Sequence, residues 1–394
     1  MWAIAKTRTK HAKHASRRGF TVVELLIVIV VVGILAAITL VAYNGVQNNA
    51  RTATLQSDLN GASKTLEIAK VADGVYPVNS AAADLLKKSP GTIFNYSAST
   101  KQTSYCLTAT NGGIGISYRI TNTNTAPVSG ICSGVMADGT SCPTGYIVAP
   151  GSSTYNTSDF CVMKYIASNS GSNTAVSVSG ATPWVRISQT NSLSTASAAC
   201  SGCHLITEPE WLTIAQNVLS VPSNWSGGTV GSGFIYFGHN DNSPGNSLAA
   251  DSSDANGYSG TGNSAPSSQR RTLTLTNGEV IWDLAGNVWQ WTAGTTAGGQ
   301  PGSSGYTWRE WNALTTFGAL TPNPSPATTG ISGASSWTSA QGIGQIYSNS
   351  DETALRSLLR GGFWSGSGLA GVFALNLNNT PSTTHSSIGF RVAR

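Results

Sequence analysis

Charge is scarce in this 394-residue chain: only 10% of its residues are Asp, Glu, Lys or Arg. The formal net charge is +5, but six of the 22 Lys and Arg (Lys6, Arg8, Lys10, Lys13, Arg17 and Arg18) precede residue 19, with no acid among them. Setting those six aside leaves sixteen bases against seventeen acids, a balance of about −1. That balance excludes a nucleic acid partner, because phosphate recognition needs clustered positive charge. Cysteine is absent before Cys106 and after Cys203. Chemistry that depends on a thiolate therefore has no residue to use beyond Cys203. Histidine is also rare: beyond the basic leader only His204, His239 and His385 remain, at no spacing to a nucleophile and an acid that suggests a triad. No internal repeat is evident.

Against this background one stretch stands out, Arg17 to Val41, reading RRGFTVVELLIVIVVVGILAAITLV. From Val22 to Ala42 its only charge is Glu24, and about 20 apolar residues are what a helix needs to cross a bilayer. A secretory signal would be cut after its apolar part at a small-residue site; here the charge block ends abruptly in Gly19-Phe20 instead. The chain that follows is rich in Gly, Ser, Thr and Asn, a composition that suits loop-rich extracellular β structure. The 11 Trp and 12 Tyr of the whole sequence, all but Trp2 beyond the apolar run, speak for packed cores rather than disorder. All six cysteines lie beyond the apolar run, and an even count in an exported chain permits three disulfides out of 15 pairings. Sequence neighbourhood points to Cys106–Cys132 and Cys142–Cys161. Cys200 and Cys203 are left to a short or a longer-range bond.

Gly19, Phe20, Thr21 and Glu24, followed by the unbroken apolar helix, resemble the leader and first helix of a type IV prepilin. The resemblance implies that a prepilin peptidase cuts after Gly19 and methylates the new amino terminus at Phe20, and that the apolar helix is kept. It also implies a partner for Glu24, whose carboxylate is costly in lipid when alone: the amino terminus of a neighbouring pilin subunit. The expected location is the cytoplasmic membrane before assembly, with the membrane part at 20–42, and a pilus or pseudopilus at the cell surface afterwards.

From Tyr43 to about Asp73 the pattern remains helical, with Val46, Leu55, Leu59, Leu66 and Ile68 among polar residues, and Gly74 is placed to end it. Tyr105–Thr110 and Ile114–Thr121 alternate as paired strands across Asn111-Gly112-Gly113. A small antiparallel sheet on the helix, closed by Cys106–Cys132, is what the pilin resemblance implies up to about 135. Beyond it, ordered islands are expected at Phe160–Ala167, Trp184–Ile187, Gly233–Phe237, Leu273–Ala285 and Leu358–Arg394. A helix is expected from Glu208 to about Leu219, with Thr207 as N-cap and Glu210 closing a capping box. Between them Pro222–Gly231, Asn240–Gln269 and Ala293–Ala340 read as long loops.

Three segments carry a second resemblance: His204-Leu-Ile-Thr-Glu-Pro-Glu-Trp211, Trp282-Asp-Leu-Ala-Gly-Asn-Val-Trp-Gln-Trp291, and Leu359-Arg-Gly-Gly-Phe-Trp364 with Ile388-Gly-Phe-Arg-Val392. In this order they are similar to the formylglycine-generating-enzyme (sulfatase-modifying factor) subtype of the C-type lectin fold. The fold class expected is thus α+β: a leader at 1–19, a pilin-like helix with a small head at 20–135, and a loop-rich lectin-type domain at 136–394. The family's oxidase members place a cysteine pair after the Arg-Gly-Gly motif, where this chain has none, so the expectation is not an enzyme. The stretch from about 358 to 394 is similar instead to the variable region of retroelement-diversified proteins. By that resemblance Phe363, Ser365, Ser367, Leu369, Thr383, His385 and Ser387 are the diversified, ligand-facing positions, and Trp364, Phe373, Leu375 and Leu377 are core. Asn376, Asn378 and Asn379 fit either role.

No cofactor is required, and calcium is the one candidate. The resemblance places it at Asp283, Gly286, Val288 and Gln290, although an acid is expected where Gln290 stands and calcium prefers six to eight hard oxygens. The loop Asp251–Gly257 half-matches a calcium loop without its closing Glu and reads as solvated. Cys200-Ser-Gly-Cys-His204 matches the c-type haem attachment pattern, with a disulfide as the preferred reading. The function expected is a pilus- or membrane-anchored protein whose lectin-type face binds a surface ligand, protein or glycan, and is diversified by a retroelement. The alternatives are a minor pilin or adhesin with a fixed binding domain, and a degenerate enzyme of the formylglycine-generating type.

Overall fold

The computed structural model describes residues 22–77, 82, 85–99, 102–111, 116–132, 134, 136, 142–262, 267–326 and 333–394; within the first helix, the side chains of 23–25, 28 and 33–45 are outside that set. The chain falls into two compact units, Met1–Ala53 and Thr54–Arg394. Val22–Asp73 is helical and stops at Gly74, whose φ of +77° gives the left-handed turn that ends a helix without a Cβ penalty. Among the described residues no helix is long and apolar enough to cross a membrane; most side chains of the stretch on which that expectation falls are not among them.

In the second unit, Leu55, Leu59, Ala62 and Leu66 recur at helical spacing and are all but fully buried. Each leucine so buried contributes roughly 1.5–3 kcal/mol. They pack under a four-stranded antiparallel sheet of Thr92–Ala98, Tyr105–Asn111, Ile116–Thr121 and Val128–Ser129. Tyr76, Tyr96 and Tyr105 fill the seam, with ring centroids 4.8 and 5.9 Å apart. Asp58 fastens the connection by accepting from Ser89 N, Ser89 Oγ and Thr92 Oγ1 at 3.0, 2.8 and 2.6 Å. Cys106 is bonded to Cys132.

The remainder of this unit joins helices to antiparallel and mixed sheets, so the fold class is α+β. Tyr146–Ala149, Phe160–Met163, Val392–Ala393 and His204–Leu205 form one four-stranded sheet. It ties the chain's end to the strand held by Cys142–Cys161: Cys161 and Arg394 exchange backbone hydrogen bonds of 2.8 and 2.9 Å. The central six-stranded sheet runs in the order Thr307–Arg309, Ile346–Ser348, Gly371–Asn379, Leu355–Gly361, Trp289–Ala297, Ile388–Phe390. Alternation sorts its two faces. Phe373, Leu375 and Leu377 enter a core with Trp211, Leu212 and Ala215 of the helix Glu208–Leu219. Ala374, Leu359, Trp289 and Trp291 enter another with Ala196 of a helix at Gln189–Ala199.

That last helix was not expected, since its sequence is mostly Ser, Thr and Asn. Its one local signal is Ser188, whose side chain accepts from Asn191 N as an N-cap. The stretch 293–340 is also more structured than a loop: the strand Trp289–Ala297 extends into it, Thr307–Arg309 is a sheet edge, and short 3-10 turns begin at Trp311, Ala334 and Ser339. Its residues gain order from pairing with strands far along the chain, which no local pattern announces.

Candidate functional site

The expected ligand-facing positions sit on a frame built around one buried ion pair. Thr207 caps the helix Glu208–Leu219 in a reciprocal box with Glu210, which turns the next side chain, Glu208, into the interior. Its carboxylate accepts from Arg360 Nη2 and Nε at 2.6 and 3.1 Å and from Thr292 Oγ1 at 2.6 Å. Arg360 is fully buried and also donates to Phe373 O at 3.1 Å. Gln189 braces the same strands, donating to Thr292 O and Gly294 O and accepting from Ser357 Oγ. Gly361 and Gly362 follow, each with φ of +91°; a Cβ on the first would lie 2.8 Å from Leu284 O and on the second 2.5 Å from Ala370 Cβ. Glycine is required at both.

From this frame the loop carrying Phe363, Ser365, Ser367 and Leu369 is held by its backbone. Asn242 N donates to Trp364 O, Trp364 N to Asn287 O, Ser367 N to Asn240 O and Gln345 N to Leu369 O, at 2.6, 3.0, 2.7 and 3.3 Å. Ser365 and Ser367 are exposed, and among the described residues neither hydroxyl makes a hydrogen bond. Ser367 has φ of +49°, which favours Gly, Asn or Asp. Phe363 and Leu369 are half-buried.

The second arm differs. Thr383 Oγ1 accepts from Thr380 N at 3.1 Å, and His385 is exposed with its Nδ1 2.7 Å from Ser387 Oγ. Ser387 is only 4% exposed and its carbonyl accepts from Trp289 N, so it positions His385 and does not face a ligand, contrary to expectation. Among the described residues no carboxylate hydrogen-bonds this imidazole. The two arms meet at Trp289, which stacks on Phe363 with centroids 6.4 Å apart. Phe373, Leu375 and Leu377 are core, as expected, whereas Trp364 is half-buried.

At the four calcium positions the polar side chains are already engaged by other partners. The Asp283 carboxylate is taken in bidentate fashion by Arg271, Nε and Nη2 each at 2.7 Å. Gln290 donates to Asp283 O and accepts from Arg391 Nε at 3.0 Å. Arg391 is buried, and its Nη1 and Nη2 donate to Met163 O and Trp282 O, both at 2.6 Å. Gly286 N donates to Gly361 O, and Val288 is fully buried. Burial pushes Arg391 down to about 10, against the pull of Asp283, still high enough to stay charged. Two guanidinium groups thus supply the positive charge and leave no free carboxylate for a divalent ion. Neither arginine's role was visible in sequence; the signal was a pair of charges kept inside a chain that has few. In the loop Asp251–Gly257, Asp254 is spent on the amides of Asn256, Gly257 and Ser259.

Cys200 is bonded to Cys203, and His204 Nε2 lies 2.8 Å from Glu210, which leaves neither thiols nor a free imidazole for haem. The Glu210 hydrogen bond raises the His204 pKa, against burial. His239, fully buried, donates to Pro244 O or Asn246 O, and burial lowers its pKa. Of the processing positions, Gly19, Phe20 and the side chain of Glu24 lie outside the described residues.

Residues 14–40 match the prokaryotic N-terminal methylation motif. The chain is 32% identical over 120 residues to the type IV wide pilus major component PilA4 of Thermus thermophilus, covering 28% of this chain and 92% of that protein. It is 38% identical over 76 residues to the type IV major alpha-pilin of Moraxella bovis, covering 19% of this chain and 47%, about half, of that one. The chain belongs to the type IV pilin family. Among solved structures it is similar to the Major Tropism Determinant M1 variant, at 15% identity over 78% of this chain and 72% of that one with a TM-score of 0.34. It is also similar to Treponema denticola variable protein 1, at 15% identity over 62% and 90% with a TM-score of 0.29. Superpositions this loose leave the C-terminal part to be read from its own residues.

Proposed function

We propose that this pilin carries a lectin-type C-terminal domain as a display surface, and that the face bearing Phe363, Ser365, Ser367, Leu369, Thr383 and His385 binds a ligand outside the cell and is rewritten by a retroelement. The observation that carries the reading is the division of labour around Arg360-Gly-Gly. Buried charge and glycine geometry hold the frame, while the adjoining loop is fastened through main-chain groups rather than through its side chains. Cutting after Gly19 by a prepilin peptidase, methylation of Phe20 and packing of Glu24 against a neighbouring subunit would carry the domain to the surface in a filament. Recognition suits it, because all six cysteines are in disulfides and supply no thiolate. The test is deep sequencing of the locus across a population. A near-copy of the codons for 358–394 that differs at template adenines, beside a reverse transcriptase gene, with replacements concentrated at the six positions, is the expected result. A single invariant sequence with no such copy would leave a fixed adhesin.

A further inference from the structure

The central sheet carries a row of aromatic rings that the ligand-facing positions do not account for. Starting at Phe363, it runs through Trp289, Trp308, Tyr347 and Tyr306, with centroid steps of 6.4, 6.2, 4.8 and 5.3 Å. The rings stay within 25°, 13°, 32° and 30° of parallel from one to the next. The register explains it: Trp308 pairs with Tyr347 and Tyr347 with Asn376, so all three project from the same face. Trp289 is buried, but Phe363, Trp308, Tyr347, Tyr306 and Asn376 are each half-open to solvent.

Three polar groups on this face have no partner among the described residues: Trp308 Nε1, the Tyr347 hydroxyl and Asn376 Nδ2. Asn376 is oriented by its oxygen, which accepts from Asn378 N at 2.9 Å, so its amide donors are the part left over. Arg356 pairs with Glu352 at 2.6 Å beside Tyr306, and Arg309 donates to Ser348 O and Ser303 Oγ. A lipid surface would leave the free donors unmatched, and the three groups left over on the strip are neutral donors. A pyranose fits both features, with C–H faces for the rings and hydroxyls that accept from indole, phenol and amide.

We propose that the strip Phe363–Trp308–Tyr347–Asn376 binds a neutral, pyranose-based oligosaccharide. Its fixed part lies outside the rewritten positions, so it provides a constant affinity that the variable loop tunes. The proposal rests on the reading of this end of the domain as its ligand-facing side, and it lies apart from the calcium positions considered above.

The experiment uses the full chain in a detergent with no sugar headgroup, titrated calorimetrically with cellohexaose, chitohexaose and maltohexaose, and with a heparin hexasaccharide for comparison, up to about 10 mM, where even a millimolar site registers. The expected result is binding of at least one neutral hexasaccharide, weakened at least about tenfold in Trp308→Ala and measurably in Tyr347→Phe, which removes one hydroxyl and leaves the packing in place. Should Trp308→Ala fail to fold, Tyr347→Phe is read alone. Absence of binding by all three neutral sugars, binding unchanged in the variants, or binding of heparin alone overturns the proposal. Those failures leave the locus sequencing untouched, so the two readings fall separately.

Discussion

Removing the guanidinium from Arg360 strikes the frame at its most exposed weakness. In Arg360→Ala the Glu208 carboxylate, buried and accepting at 2.6 Å from Nη2, keeps only Thr292 Oγ1 as a described partner, while Phe373 O loses a donor. Breaking one side of a buried pair strands a charge and costs about 3–5 kcal/mol. With an unfolding entropy of about 2.1 cal/mol/K per residue spread over Thr54–Arg394, this lowers the melting temperature by roughly 4–7 °C. The double variant Glu208→Gln/Arg360→Met leaves no isolated charge and keeps an acceptor for Thr292, so it is expected to recover most of the loss. The assay is thermal unfolding followed by near-UV circular dichroism on the full chain. A single variant that melts within about 1 °C of the parent, or a double variant no better than the single, would refute the assignment of Arg360 as the keystone.

Two further outcomes follow from the same geometry. His204 has a raised pKa and Glu210 a lowered one, so their bond adds stability where Glu210 is ionised and His204 protonated, from roughly pH 4.5 to 6.5 by the unfolded values. The charge-dependent contribution fades above the raised pKa of His204 and below the lowered pKa of Glu210; the melting difference between parent and His204→Gln should be largest near pH 5.5 and shrink as the pH rises through the raised pKa of His204, and a difference that grows with pH would contradict it. Because Arg271 and Arg391 supply the positive charge around Asp283, chelator and millimolar calcium are both expected to leave the melting temperature unchanged; a clear calcium-dependent rise would show that a cation has been overlooked.

Local signals in the sequence told most. Gly74, the Thr207–Glu210 box and the alternation from Tyr105 to Thr121 are each read within a few residues, and the structure has the helix end, the capped helix and the hairpin where those signals stand. Glycines at 361 and 362 were equally legible as turn and frame. What escaped was settled by partners distant in the chain: Asp283 reads as a metal ligand until Arg271 is brought beside it, and Ser387 reads as exposed until its carbonyl is paired with Trp289 N and the residue is buried. The helix Gln189–Ala199 lacks an apolar stripe because tertiary packing on a few small residues, Ser192 and Ala196 among them, suffices to hold it.

The central claim is that a rigid frame presents a face free to change. Its most direct measurement is the unfolding of one variant carrying Phe363→Tyr, Ser365→Tyr, Ser367→Asn, Leu369→Gln, Thr383→Ser and His385→Asn together, with Ser387 and Arg360 kept. At up to about 0.5 kcal/mol for each surface substitution, the combined loss is expected to stay below about 3 kcal/mol with a single cooperative transition. A loss as large as that of Arg360→Ala, or a chain that no longer unfolds cooperatively, would contradict the account.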